Sequence, residues 1–329
     1  MVHIDDATRA AEVRRLAVAS AQSEGLGRQA SEEVAIIATE MATNLLKHAH
    51  AGEIHITRLS PASEPGVEIL SIDRGPGIEN LEECIVDGFS SVGTAGTGLG
   101  AISRLADVFD AFSQPGRGSV MVARKFLHGP QARSQAWTFG AVKAPYPGEV
   151  GCGDNWSVLR TESVISMILA DGLGHGVLAT DASTAAITEF QSGRAESATA
   201  MLENVHLALR STRGAAVAIA RIEPETGTIR FAGLGNISGV LLGPARAQFM
   251  VSHNGTAGLE ARRYQEFTYQ FPVDGVIVMH SDGLNTNWST SAYPGLLRRH
   301  PSVIAGILYR DAARGRDDVC VVVGRYIPV

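Results

Sequence analysis

From residue 31 onwards, apolar side chains recur at Val34, Ile37, Met41 and Leu45, a helical spacing that turns one face towards a core. Ser31 reads as the N-cap, with Glu32 and Glu33 in the first turn, where carboxylates favour the helix dipole. A helix-like segment over about 6–23 precedes it. Strand-like runs follow at 53–59 and 67–73, the second stopped abruptly by Asp-Arg-Gly-Pro-Gly. After a Gly-rich stretch, 99–112 reads as a helix and 119–126 as a strand. This order predicts an α/β sandwich with helices on one face of a mixed sheet.

The pattern changes beyond 128–136 (HGPQARSQA), a polar stretch with Gly and Pro and no hydrophobic period, which reads as a linker between a domain at 1–127 and another at 137–329. Strands are expected at 139–143, 156–160, 163–170, 215–221, 228–232, 238–242, 275–280 and 318–325. Helices are expected at 176–191, 195–210 and 301–313, so the second block should hold packed sheets flanked by helices and the chain as a whole should be α+β.

Composition narrows the class. With 329 residues, 45% hydrophobic and 19% charged, each block can bury its own core. A formal net charge of -6 argues against general attraction to nucleic acid or an anionic membrane. Cys84, Cys152 and Cys320 are far apart and form no C-x-x-C pair, and the N-terminal residues show no signal-peptide pattern, so a cytoplasmic protein is expected.

Neither a P-loop nor a Rossmann fingerprint is present. Glu40, Asn44 and Lys47 instead fall at i, i+4 and i+7, one face of a continuous helix. A carboxylate, an amide and an ammonium in that array suit a magnesium triphosphate; a solvated helix face is the alternative. Asp73 closes a strand before Gly75 and Gly77, where an acid can accept the adenine amino group and glycines let backbone approach the base. Gly96, Gly98 and Gly100 open a helix whose free N–H groups attract phosphate, and Gly116-Arg-Gly118-Ser119 leads into the last strand of the block.

The second block repeats a different device, an apolar strand ending in Asp. Asp154 sits in a Gly-rich turn, Asp171-Gly172 follows 164–170, Asp282-Gly283 follows 276–279, and Asp317-Asp318 precedes 319–323. Strand ends aim carboxylates rigidly, and several acids suit hard divalent ions that clamp a phosphate. His175, in Gly172-Leu-Gly-His-Gly176, either orients water or substrate or caps the next helix.

These motifs carry two resemblances. Residues from about 31 to 126 resemble the GHKL ATPase superfamily, whose N, G1 and G2 boxes correspond to 40–47, 73–77 and 96–100. IDRGPGI, DGFSSVG and GTGLGAISRL look most like the RsbT-type switch serine kinases, which act on STAS-domain partners. That resemblance implies a GHKL (Bergerat) α/β sandwich binding ATP with Mg²⁺, Glu40 as catalytic base, Asn44 as magnesium ligand and Asp73 as adenine reader. Ser119 stands where the superfamily often has Thr. Residues from about 137 to 326, through DGLGHG, SDG and RDDVCVVVG, resemble the SpoIIE/RsbX branch of the metal-dependent (PPM) serine/threonine phosphatases. This implies an αββα sandwich in which Asp154, Asp171, the Gly172 carbonyl, Asp282 and Asp317 bind two Mn²⁺ or Mg²⁺, Asp317 being chosen because the family's terminal ligand is the first of the acidic pair.

Together the resemblances imply a kinase and a phosphatase in one chain, opposed on Ser or Thr of a STAS-type anti-anti-sigma or stressosome protein. The alternative is a phosphatase governed by a nucleotide-gated, non-catalytic binding module. An ATP-driven machine of the gyrase kind is disfavoured by the short interval between Gly77 and Gly96.

Overall fold

A computed structural model describes residues 1–49, 51–59, 65–85, 98–129, 137–193, 197–244 and 246–326. The chain divides into two compact units, one of Met1–Gln135 with Ser302–Arg310, the other of Ala136–Pro301 with Asp311–Pro328.

The first unit is built from β1 (Val2–Ile4), α1 (Ala7–Ser23), α2 (Arg28–Asn44), β2 (Gly52–Arg58), β3 (Gly66–Asp73), α3 (Leu81–Ile85), α4 (Gly98–Leu105), β4 (Val108–Gln114) and β5 (Gly118–Phe126). Its strands form one sheet in the order β1-β2-β3-β5-β4. Every ladder is antiparallel, so the sheet is not the mixed one expected from sequence. Val13 and Ala17 of α1, Val34, Ile37 and Met41 of α2, and Ile102 of α4 close over Ile54, Ile69, Met121 and Ala123 of the sheet.

The α2 helix starts earlier than its sequence suggests. Gly27 is its N-cap, and Ser31 is buried within the first turn with its hydroxyl donating to the Leu26 carbonyl at 3.3 Å. The helix expected over 99–112 stops at Leu105. Asp107 turns the chain: its N–H donates to the Arg124 carbonyl at 2.9 Å, and its Oδ2 accepts from Phe126 N–H at 2.8 Å. From Val108 on, the residues pair with β5.

The sheet is buried on both faces, as the burial of Gly66–Ile72 along β3 shows. The face away from α1 and α2 carries Glu68 and Arg124, joined at 2.7 Å, with Ser302 donating to Glu68 at 2.6 Å. Gly306 lies so close to the sheet that a Cβ there would stand 2.6 Å from Val120 Cγ1.

The second unit contains β6 (Trp137–Ala144), β7 (Asp154–Arg160), β8 (Ile165–Gly172), α5 (Val177–Gln191), α6 (Ala198–Ala208), β9 (Ala215–Glu223), β10 (Thr228–Leu234), β11 (Ser238–Leu242), β12 (Ala247–Met250), β13 (Phe267–Gln270), β14 (Val276–His280) and β15 (Val319–Tyr326). The helix α7 (Pro301–Ala312) contributes Ser302–Arg310 to the first unit. Two sheets result, ordered β13-β10-β9-β8-β7 and β12-β11-β14-β15-β6. Met167, Leu169, Ala218 and Phe231 of one pack against Leu241, Ile277, Met279 and Val322 of the other. The reverse face of the first sheet is covered by α5 and α6 through Ala186, Phe190, Leu202 and Val205. Among the described residues no helix is long and apolar enough to cross a membrane.

Replacing Glu68 leaves the Arg124 guanidinium buried without its carboxylate. Glu68→Ala should therefore destabilise the protein by about 3–5 kcal/mol, read as a lower urea midpoint by circular dichroism.

Candidate nucleotide and metal sites

In the first unit, Asp73 ends β3 with its carboxylate tied back to the chain. Gly75 N–H donates to Asp73 Oδ1 at 2.7 Å, and the Ser119 N–H also bonds to this carboxyl. Burial nonetheless pushes the Asp73 carboxyl above its usual range, against these bonds and the nearby Arg310 charge. The loop after Asp73 is fixed to the β4–β5 turn. Gly116 N–H donates to the Pro76 carbonyl at 2.7 Å, and Ile78 N–H to Ser113 Oγ at 2.7 Å. Ser119 Oγ lies 2.8 Å from Ser113 Oγ, so the hydroxyl is engaged within the protein. A Cβ on Gly118 would fall 2.2 Å from the Asp73 carbonyl oxygen, which is why the β5 entry needs glycine.

Glu40 and Asn44 are half-buried on the last two turns of α2. Gly98, the first residue of α4, faces both: a Cβ there would lie 3.2 Å from Glu40 Oε2 and 3.6 Å from Asn44 Oδ1. Gly100 is buried within α4, and Gly77 lies in the loop after β3. Gly96 is outside the described residues.

Lys47 lies beyond the end of the α-helix that carries Glu40 and Asn44. The α-helix ends at Asn44 and passes into a π-helical turn over Leu45–Ala49, which breaks the 3.6-residue phase that aligned the three. Leu45 is 3% exposed and packs against Gly52, while Lys47 is left exposed.

In the second unit the β7–β8 ladder places Asp154 directly opposite Asp171. Burial raises both carboxyls well above the ordinary range, and for Asp171 the neighbouring charges of Asp154, Asp282 and Asp317 push in the same direction. Ser281 Oγ donates to Asp154 Oδ2 at 2.6 Å and accepts from Cys320 N–H at 3.0 Å, while Asp154 Oδ1 is buried and receives no hydrogen bond. Asp282 is shifted up by burial and then by Asp317.

Two glycines let the elements close here. A Cβ on Gly172 would lie 2.2 Å from the Ala179 carbonyl oxygen in the first turn of α5, and one on Gly283 would lie 2.0 Å from the Asp318 carbonyl oxygen. Asp317 and Asp318 differ in setting. Asp317 is exposed; Asp318 is buried, with Oδ1 accepting the Tyr146 N–H at 2.8 Å. His175 caps nothing, since Gly176 is the N-cap of α5. Its ring stacks on Tyr146, centroids 4.6 Å apart, and Nδ1 lies 3.1 Å from Glu149 Oε1.

Among the described residues, no three His, Cys, Asp or Glu side chains already converge as a metal cage. The donor set still fits a hard divalent cation. A buried carboxylate oxygen without a donor, and acids whose ionised forms oppose one another, are the conditions that such a charge relieves. Ser281, Asn236 and Tyr146 join this cluster without having been singled out from sequence. Only Ser281 carried a signal, its place before Asp282-Gly283 at the end of an apolar strand.

The second unit is thus two stacked antiparallel sheets with acids at the strand ends. Residues 161–326 match the model of the stage II sporulation protein E (SpoIIE) family, and residues 5–125 that of the histidine kinase-like ATPase domain. Serine/threonine-protein kinase RsbT of Bacillus subtilis (strain 168) is 32% identical over 114 residues, 35% of this chain and 86% of that protein. Phosphoserine phosphatase RsbX of the same organism is 26% identical over 139 residues, 42% of this chain and 70% of that protein. RsbX in complex with magnesium superposes with a TM-score of 0.51 at 21% identity, over 59% of this chain and 97% of that one, a likeness of fold. A chain described with the bacterial stressosome gives 0.55 at 26% identity, over 58% of this chain and 100% of that one.

The chain belongs to the SpoIIE family and carries, ahead of that domain, a histidine kinase-like ATPase domain related to RsbT. It is a serine/threonine phosphatase of the SpoIIE type joined to a kinase-type domain.

Raised carboxyl pKa values oppose folding at neutral pH in the metal-free protein. The folded state holds protons that the unfolded chain, with an Asp value of 3.8, has released, so stability falls as pH rises from 3.8 towards the Asp171 value of about 9. Asp171→Asn should flatten this decline in EDTA and raise the melting temperature at pH 8, by about 2–4 °C for each kcal/mol of repulsion removed.

Proposed function

We propose that the protein both phosphorylates and dephosphorylates Ser or Thr of a STAS-domain anti-anti-sigma or stressosome protein. The observation that carries the reading is Asp154, held opposite Asp171 with a buried carboxylate oxygen that receives no hydrogen bond, while the charges of Asp282 and Asp317 act on Asp171. Asp154, Asp171, Asp282, Asp317 and the Gly172 carbonyl would hold two Mn²⁺ or Mg²⁺. Bound there, such ions lower the pKa of water and neutralise phosphoryl charge. The protein's own part is to fix the acids on strand ends and to keep Asp154 oriented through Ser281.

In the first unit, Glu40 would accept the proton of the attacking hydroxyl and Asn44 would hold Mg²⁺ of ATP. Asp73 would read the adenine amino group, with Gly75 and Gly77 beside the base and Gly98 and Gly100 at the phosphates. The meeting of Glu40 and Asn44 at Gly98 supports this arrangement. The alternative reading is that the nucleotide gates partner binding without phosphoryl transfer.

Phosphate release from a Ser-phosphorylated STAS protein should require Mn²⁺, stop in EDTA, and fall at least about 100-fold in Asp171→Ala, because even a second-layer partner of a bound metal is worth 10–100-fold. Release that persists in EDTA would refute the metal-dependent reading. Transfer of ³²P from ATP to the unphosphorylated partner should fall about 10²–10⁴-fold in Glu40→Ala. Unchanged signalling by that variant in cells would favour the gated module.

A further inference from the structure

Asn236 lies in the turn between β10 and β11, outside the acids that the proposed function uses. The β11–β14 ladder ends with Ser238 opposite His280. Continued by two residues along each antiparallel strand, that register sets Asn236 across from Asp282. The side chains meet there: Asn236 Nδ2 donates to Asp282 Oδ2 at 2.7 Å.

The turn that presents Asn236 has little freedom. Gly235 has φ of +102°, and a Cβ on it would stand 2.6 Å from Ala216 Cβ on β9. Gly235 N–H donates to the His253 carbonyl at 2.8 Å, and His253 N–H returns to the Gly233 carbonyl at 2.9 Å. On the other side Ile237 is 3% exposed and its carbonyl accepts from Ser252 Oγ at 3.1 Å. The backbone on both sides of Asn236 is therefore fixed, while Asn236 itself is exposed.

The chemistry of an amide suits this place. Asp282 is already pushed upwards by burial and by Asp317. Another carboxylate opposite it would add to that repulsion, and a lysine or arginine would neutralise the charge that a cation needs. A neutral N–H donor orients one oxygen and leaves the charge and the other oxygen to the ion.

We infer that Asn236 is a positioning residue for the metal centre, holding Asp282 in its ligating rotamer through the amide. The inference rests on the proposal that Asp282 binds a divalent cation, and the experiment separates the two. Mn²⁺ is titrated by calorimetry into the full chain, its Asn236→Ala and Asn236→Gln variants, and Asp282→Ala, and each is also melted in EDTA.

The expected result is that Asn236→Ala binds Mn²⁺ at least about 10-fold more weakly while its melting temperature in EDTA matches the wild type, and that Asn236→Gln, which keeps a donor, recovers part of the loss. Wild-type affinity in Asn236→Ala, with binding impaired in Asp282→Ala, overturns the role of Asn236 and leaves the metal site standing. A lowered EDTA melting temperature in Asn236→Ala with no recovery in Asn236→Gln assigns the residue to the turn and also overturns the inference. Wild-type affinity in Asp282→Ala overturns the metal role of Asp282 and the inference with it.

Discussion

Asp154 and Asp171 face each other across β7 and β8, and the ladder leaves them no other arrangement. Left to electrostatics alone, two carboxylates in a buried place would separate or stay protonated. They are held because Met167 and Leu169 of β8 fill the space between the sheets while Ile168 and Ala170 fill the space under the helices. A slip of one residue would exchange those two sets and empty both cores. Hydrophobic packing on two faces thus enforces an unfavourable polar contact at the strand end. Asp282 is delivered in the same way by β14, whose residues from Val276 to His280 are all buried.

The Asp73 end of the first unit is organised on the opposite plan. There the backbone does most of the binding of side chains: Asp73 is held by N–H groups from Gly75 and Ser119, and the flanking loop is held by Ser113 and by a bond to Pro76. A loop secured largely by backbone hydrogen bonds suits the reading of a flat, largely neutral base. The crowding of acids in the second unit suits a cation. The two units therefore differ in the kind of ligand for which each is electrostatically prepared.

Much of this could be read along the chain where one strand or helix carried the whole signal. Asp171 and Asp282 each close an apolar run and precede glycine, so their place at strand ends was legible, as was Asp73 at the end of 67–73. What escaped depended on partners elsewhere. Val108–Gln114 continued a plausible helical spacing until pairing with β5 decided for a strand. Ala247–Met250 and Phe267–Gln270 are sheet edges of only four residues each, the first exposed at three of them and the second alternating over too short a run to stand out. The π-helical turn after Asn44 leaves no mark in the spacing of Glu40, Asn44 and Lys47. Asn236 could be matched with Asp282 only once the β11–β14 register was known.

The order of the chain has a bearing on how it is made. The first unit needs Ser302–Arg310, and Ser302 donates to Glu68 on the sheet face away from α1 and α2. During synthesis from the N-terminus, that face emerges long before its cover does. The sheet must wait, with Leu70, Ile72, Val120 and Val122 on the uncovered side, while nearly the whole second unit is translated. Birth order and folding order are therefore not the same, and the nascent chain carries an open apolar face for most of its time on the ribosome.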